Sequence, residues 1–433
     1  MGRPCSLPLA VLVLLVTART AAGQAPTGEQ ISRAHIMLAQ VRDDLKKNYY
    51  DSTFGGVNLD SRFRHVDSTL DRASTAAELF GDIAQFMFDL HDSHTEFLPP
   101  GRAANVDYGW TWTVIGDKCF VRWVRKDSDA ERKGVEVGDE ILAIDGIALS
   151  RQSRWLVGYV YNWLSPRPGM HLQLRKPGGS IVSLDALAKV TPATRVYDFT
   201  DALVRQQIYS QMEQEDTARL HSWRAFGDTA LVWHFSEFVY ADQAIDDMMD
   251  RARADKALIL DLRDNPGGAV ATILRLLAHF VDHPERVALV LHRNKTDTLT
   301  VRPVGKAPFR GNLIVLINAG SASASEVTAR FLQLNGLSTT VGDRSAGAVM
   351  TSLEFIHAVG GEKYMVYGAT ISVRDMIFDD GNRLENVGVV PEFIILPTGA
   401  DLVAKRDPQM AKALALAGIQ MDAVQAARVY EAH

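Results

Sequence analysis

Two passages of the sequence share one plan, and that plan limits the fold more than any other feature of the chain. Residues 257–262 form a run of strand length, apolar but for Asp261, which passes through Arg263-Asp264-Asn265-Pro266-Gly267-Gly268 into a helical pattern. Residues 313–317 do the same through Asn318-Ala319-Gly320-Ser321-Ala322-Ser323-Ala324-Ser325-Glu326. A strand that is apolar on both faces must be covered on both, and strand–turn–helix passages in series build a parallel sheet. The expected core is therefore α/β. In such sheets ligand sites gather at the carboxyl ends of the strands, where these two small-residue turns lie. Glycines let the backbone approach a ligand closely, and free N–H groups at a helix start favour negative charge.

The rest of the chain sorts around this core. Its 433 residues are 47% hydrophobic with a net charge of −6, which is globular composition without the basic surplus that nucleic acid would call for. Cys5 and Cys119 are the only cysteines, so a disulfide scaffold and a Cys-rich zinc module are both excluded. Residues 1–23 read as a secretory signal: Arg3 gives a positive start, residues 7–16 are apolar, and Ala21-Ala22-Gly23 offers small residues for cleavage before Gln24. That run is too short to cross a hydrocarbon core of roughly 30 Å. The expectation is an exported protein, periplasmic or extracellular, with no integral membrane segment after cleavage.

Residues 24–103 carry a helical pattern, with Ile31, His35, Leu38, Val41 and Leu45 on one stripe and Leu79, Ile83, Phe86 and Leu90 on another. Pro99-Pro100-Gly101 punctuates the chain before residues 104–190, which read as short strands and turns such as residues 119–124, Glu140–Ile144 and Asp145-Gly146. The core is expected over residues 191–400 and an Ala-rich helical tail over 401–433.

The stretch from Asp127 to Gly146, with Gly134, Gly138, Ile141, Leu142, Ile144 and Asp145, resembles PDZ domains. These bind a peptide as an added strand and capture its terminal carboxylate on backbone amides. The resemblance puts the carboxylate loop at Tyr108-Gly109-Trp110, where Trp110 is bulkier than expected; a spacer that only positions the core is the alternative.

Asp-Leu-Arg-x-Asn-x-Gly-Gly at residues 261–268, followed by Gly-Ser-Ala-Ser-Ala-Ser-Glu at 320–326, resembles the tail-specific, or C-terminal processing, serine peptidases and their tricorn relatives. The resemblance implies a crotonase/ClpP-like α/β core with an N-terminal helical domain and a PDZ-like β-rich domain. It makes Ser323 the nucleophile, with oxyanion donors on the backbone of Ala324 and of Gly267 or Gly268. Ser323 and Glu326 also fit a plain capping box, the structural alternative; Ser321 and Ser325 read as packing or cap residues.

Many tail-specific peptidases supply a lysine base where this chain has Ala348, and Arg344 nearby stays protonated. The tricorn branch instead uses a Ser-His pair and a late glutamate. On that resemblance His94 is the base, Ser93 orients or polarises it, and Glu385 completes the network. His91 and His94 show no third ligand for a metal, and no cofactor is implied. The leading expectation is a serine endopeptidase acting on polypeptides. A catalytically inactive peptide- or apolar-ligand-binding protein on the same fold is the alternative, motivated by the missing lysine, and acyl-CoA chemistry on a crotonase core is a third class that export argues against.

Overall fold

The computed structural model of the protein describes residues 25–197, 222–360 and 365–431. The expected signal at 1–23 lies outside the described residues. Two compact units emerge, each from described residues of discontinuous segments. The first draws on Met1–Trp112, Asp117–Gln214 and Ser352–Val373, the second on Thr113–Gly116, Glu215–Thr351 and Arg374–His433.

In the first unit the apolar stripes become helices Gly28–Asn48, Leu59–Leu70 and Ala76–Phe88. Met37, Leu38, Val41, Leu45, Leu70, Leu79, Ile83 and Phe86 are buried in this unit. Local chemistry starts each helix. Thr27 and Gln30 form a reciprocal capping box, Asn58 Oδ1 accepts from the Ser61 amide, and Thr75 Oγ1 from that of Glu78. Past the third helix His91 adopts φ 57°, which turns the chain through Asp92-Ser93-His94 into strand Glu96–Leu98. That strand pairs antiparallel with Gly368–Thr370 of the long strand Met365–Ile377.

The same unit holds antiparallel neighbours Lys118–Val124, Glu140–Ile144, Gly169–Arg175 and Ile181–Leu187. Asp145 and Gly146, at φ 48° and 80°, link Glu140–Ile144 to Ile147–Ala148 with the positive-φ pair that a tight hairpin needs.

The second unit is built on a six-stranded sheet. In spatial order its strands are Trp223–Phe226, Ala230–His234, Ala257–Asp261, Asn312–Ile317, Thr339–Gly342 and Phe393–Ile394; the first pair is antiparallel and the others parallel. Alternate residues serve opposite faces, which explains the apolar runs. Leu258, Leu260, Leu313, Val315 and Ile317 pack with Ile245, Met249, Ile273, Leu276, Val327 and Phe331 of helices Asp242–Ala252, Val270–Leu277 and Ala324–Leu334. Ala257, Ile259, Ile314 and Leu316 pack on the other face against Met410, Ala413 and Leu414 of helix Pro408–Leu416. Fully burying each large aliphatic side chain stabilises by about 1.5–3 kcal/mol, so both helical layers are needed. The tail is also tied by charge: Arg263 bridges the buried Asp261 at 2.7 Å and Asp407 at 2.8 Å.

Candidate active site

Strands Ala257–Asp261 and Asn312–Ile317 run parallel and in register, Asp261 opposite Leu316, so their following turns leave the sheet side by side. Side-chain and backbone bonds fasten the turns together. The Asn265 carbonyl accepts the Ala322 amide at 2.9 Å and the Ser325 hydroxyl at 3.0 Å, while Ser321 Oγ donates to the Leu262 carbonyl at 2.7 Å. Ser321 and Ser325 are thus spent on structure, as their reading as packing or cap residues requires.

Ser323 is the N-cap of helix Ala324–Leu334 and has φ 52° and ψ −112°. A side chain held in this left-handed region costs of order 1–3 kcal/mol, and such strain is retained where surrounding structure enforces it. Gly267 leaves room for it, since an added Cβ there would lie 2.7 Å from Ser323 Cβ and 3.0 Å from the Ala324 nitrogen. Of the two glycine amides expected as oxyanion donors, that of Gly267 already has an acceptor. Its N–H is donated to Asn265 Oδ1 at 2.8 Å. The Gly268 and Ala324 amides find no acceptor among the described residues, the latter because a helix's first N–H groups have no partner within it. One serine hydroxyl and two open amides therefore sit on adjoining turns.

Glu326 is fully buried and does more than cap. Oε1 accepts from Ser345 Oγ at 2.6 Å and the Gly347 amide at 2.7 Å; Oε2 accepts from the Ala348 amide at 2.8 Å and the Ser323 amide at 3.1 Å. Burial pushes its carboxyl pKa up, and these donors pull the other way. The Ala348 carbonyl in turn accepts from the Ser323 amide at 2.8 Å, so the residue standing in the lysine position is bound to Ser323 through backbone alone. Glu385 Oε2 accepts from the next amide, Val349, at 3.0 Å. The Gly347 carbonyl accepts from the Asn386 amide at 2.8 Å, which locks the loop carrying Glu385 onto the loop carrying Ala348.

In the first unit, His94 Nδ1 is 2.7 Å from Ser93 Oγ. Asp92 Oδ1 accepts from the His94 amide at 2.9 Å and from Ser372 Oγ at 2.8 Å, anchoring the loop to the long strand. Burial lowers the His94 pKa from its ordinary value, with the nearby Asp92 charge opposing, so the imidazole is neutral at neutral pH.

Tyr108 donates its hydroxyl to the Tyr161 carbonyl at 3.1 Å. The Gly109 amide is donated to Asp107 Oδ1 at 2.9 Å, and Trp110 is buried. Carboxylate capture by Gly109 thus requires that bond to be given up. A cleft of about 270 Å³ in the same unit, lined by Arg33, Phe80, Pro99, Trp163 and Met365 among others, contains none of the expected site residues.

Two residues that organise the site do not stand out as such from the sequence. Asn265 turns the Gly267 amide inward, and its signal was an Asn ahead of Pro-Gly-Gly, a residue type that bonds its own backbone two positions on. Glu326 registered only as motif and cap.

A serine at a strained helix start beside open amides, on a sheet layered by helices, is the constellation of an acyl-transfer hydrolase. Comparison with known proteins makes the class specific. Residues 231–395 match Peptidase family S41, a span that takes in the sheet from its second strand, both turns and the Glu385 loop. The chain is 23% identical over 419 residues to a carboxyl-terminal-processing protease of Synechocystis sp., covering 93% of this chain and 91% of that protein. A carboxyl-terminal-processing protease of Picosynechococcus sp. is 27% identical over 331 residues, covering 72% of each. The solved structure of mature CPAF complexed with lactacystin shares the fold, with a TM-score of 0.63 at 14% identity over 86% of this chain and 95% of that one. Residues 231–395 thus resemble the S41 peptidases, and the chain is a serine-type peptidase.

Proposed function

We propose that this chain is an exported endopeptidase that cleaves polypeptides with Ser323 as nucleophile and His94 as base. The observation that carries the reading is the strained Ser323 beside the open amides of Gly268 and Ala324. Ser323 Oγ attacks the scissile carbonyl carbon, and His94 takes its proton and passes it to the leaving amine. The Gly268 and Ala324 amides hold the oxyanion, and water activated by the same imidazole then hydrolyses the acyl ester on Ser323. Ser93, bound at Nδ1, leaves Nε2 as the nitrogen that would act as base. Glu385 completes the network by holding the backbone next to Ala348. The names of the curated relatives favour processing near polypeptide carboxyl termini. Residues 1–23 favour export, and no helix among the described residues is long and apolar enough to cross a membrane.

Ser323→Ala and His94→Ala should each lower turnover by about 10³-fold or more, with the double variant little worse because such residues act as a unit. His94→Ala at wild-type turnover would reject the base. A wild-type protein that binds peptides without ever cleaving them would favour the inactive-binder reading that Ala348 motivates.

A further inference from the structure

The loop from Phe235 to Tyr240 follows the second strand of the sheet and is fastened to the oxyanion turn. The Phe238 amide donates to the Gly267 carbonyl at 2.7 Å, and the Phe238 carbonyl accepts from the Ala269 amide at 2.7 Å. Phe238 thereby forms a parallel bridge with Gly268, and an added Cβ at Gly268 would lie 2.4 Å from the Phe238 oxygen. Apart from Val239, which is exposed, the loop's other side chains are committed. Phe235 and Phe238 are fully buried, and Asn265 Nδ2 donates to the Phe235 carbonyl at 2.5 Å. Ser236 Oγ and Tyr240 OH lie 2.8 Å apart, and Tyr240 packs edge-on against Phe235.

Glu237 differs from them. Its carboxylate is half-buried and forms no ion pair or hydrogen bond among the described residues, although it is next in sequence to the residue bridged to Gly268. Burial alone pushes its pKa up, with no neighbouring cation to offset it. A partly desolvated carboxylate without a partner is an unfavourable arrangement that a cationic ligand group would relieve. The backbone bonds of Phe238 to Gly267 and Ala269 hold the loop that carries Glu237 beside the amide at Gly268, where a substrate would lie in the peptidase reading.

We infer that Glu237 is a specificity residue that pairs with a lysine or arginine side chain of the polypeptide substrate close to the scissile bond. This inference rests on the peptidase reading for the place of the scissile bond. It predicts a preference for basic residues at one position, and rejection of acidic ones there by repulsion from an uncompensated carboxylate.

The test walks a single lysine, with glutamine and glutamate as counterparts, through a peptide on both sides of its cleavage site. Both kcat/KM and peptide binding to the uncleaving Ser323→Ala protein are measured. At one position lysine should exceed glutamine by about tenfold in both readouts, a size typical of one close charge pair. In Glu237→Gln that ratio should fall to about one, and in Glu237→Lys glutamate should become the favoured residue. A purely structural Glu237 would change rates for all three peptides together and leave their ratios alone. Ratios within twofold of wild type in both variants, or no position sensitive to charge, would overturn the assignment. Charge preference in binding that follows Glu237 while Ser323 proves unreactive would uphold it and reject the nucleophile instead.

Discussion

Glu326→Gln removes one charge and one acceptor from the most densely bonded side chain near Ser323. The carboxylate receives four donors, two on each oxygen: Ser345 Oγ and Gly347 N on Oε1, and Ala348 N and Ser323 N on Oε2. A glutamine amide placed at Oε2 would face two backbone N–H groups. Placed at Oε1 it would face the Gly347 N–H and a Ser345 hydroxyl that already accepts from the Val389 amide at 2.6 Å. Either orientation strands at least one buried N–H, at about 1–3 kcal/mol, and replaces charge-assisted bonds by weaker neutral ones. The expected loss is about 2–4 kcal/mol. For a domain of about 150–250 residues each kcal/mol lowers Tm by about 2–4 °C, so the shift should reach roughly 5–15 °C. The same change loosens the Ser323 backbone, and small displacements of a nucleophile cost up to about a hundredfold in rate. Calorimetry with urea unfolding reads the first effect, and the rate of fluorophosphonate attachment reads the second. A variant within about 0.5 kcal/mol of wild type that labels at the wild-type rate would refute the role given to Glu326.

Two further outcomes follow from geometry and burial. His94 has its pKa lowered from 6.5, so the acid limb of kcat/KM should fall below pH 6.5; a limb near pH 8 or above would indicate a lysine-like base. Because the unfolded chain takes up the proton at higher pH than the folded one, this histidine should make stability decline as pH falls below about 6.5, levelling once the folded pKa is passed, as titrated unfolding would record. Gly268→Ala places a Cβ 2.4 Å from the Phe238 carbonyl oxygen at φ 139°, so strain and overpacking should together cost roughly 2–5 kcal/mol in urea unfolding.

The α/β core was readable because its strands are apolar on both faces. The runs at 257–262 and 313–317 became Ala257–Asp261 and Asn312–Ile317, differing only at their ends. Tight turns were readable for a similar local reason, since Asp145-Gly146 announces a positive-φ pair. The strands Glu285–His292, Thr296–Val301 and Thr351–Val359 were not anticipated. Thr296–Val301 and Thr351–Val359 are largely solvent-facing, so neither carries the doubly apolar run that marks a central strand, although each pairs with a neighbour in sequence, Glu285–His292 and Met365–Ile377. At the site, the residue types pointed to Ser323 and to a Gly267–Gly268 turn, but the choice between the two glycines rests on where the Asn265 side chain points. A composition of small residues cannot express that. The Glu326 knot was hidden for the same reason: Ser-x-x-Glu specifies a cap, whereas the bonds to Ser345, Gly347 and Ala348 exist only once the third loop folds over it.

The most direct measurement is site mapping of a fluorophosphonate adduct. The full-length protein is labelled at pH 7.5, digested and sequenced by mass spectrometry, alongside Ser321→Ala, Ser323→Ala and Ser325→Ala. The account predicts a single modified residue, Ser323, with labelling abolished in Ser323→Ala and strongly slowed in His94→Ala. Modification at Ser321 or Ser325, or labelling that survives Ser323→Ala, would contradict it.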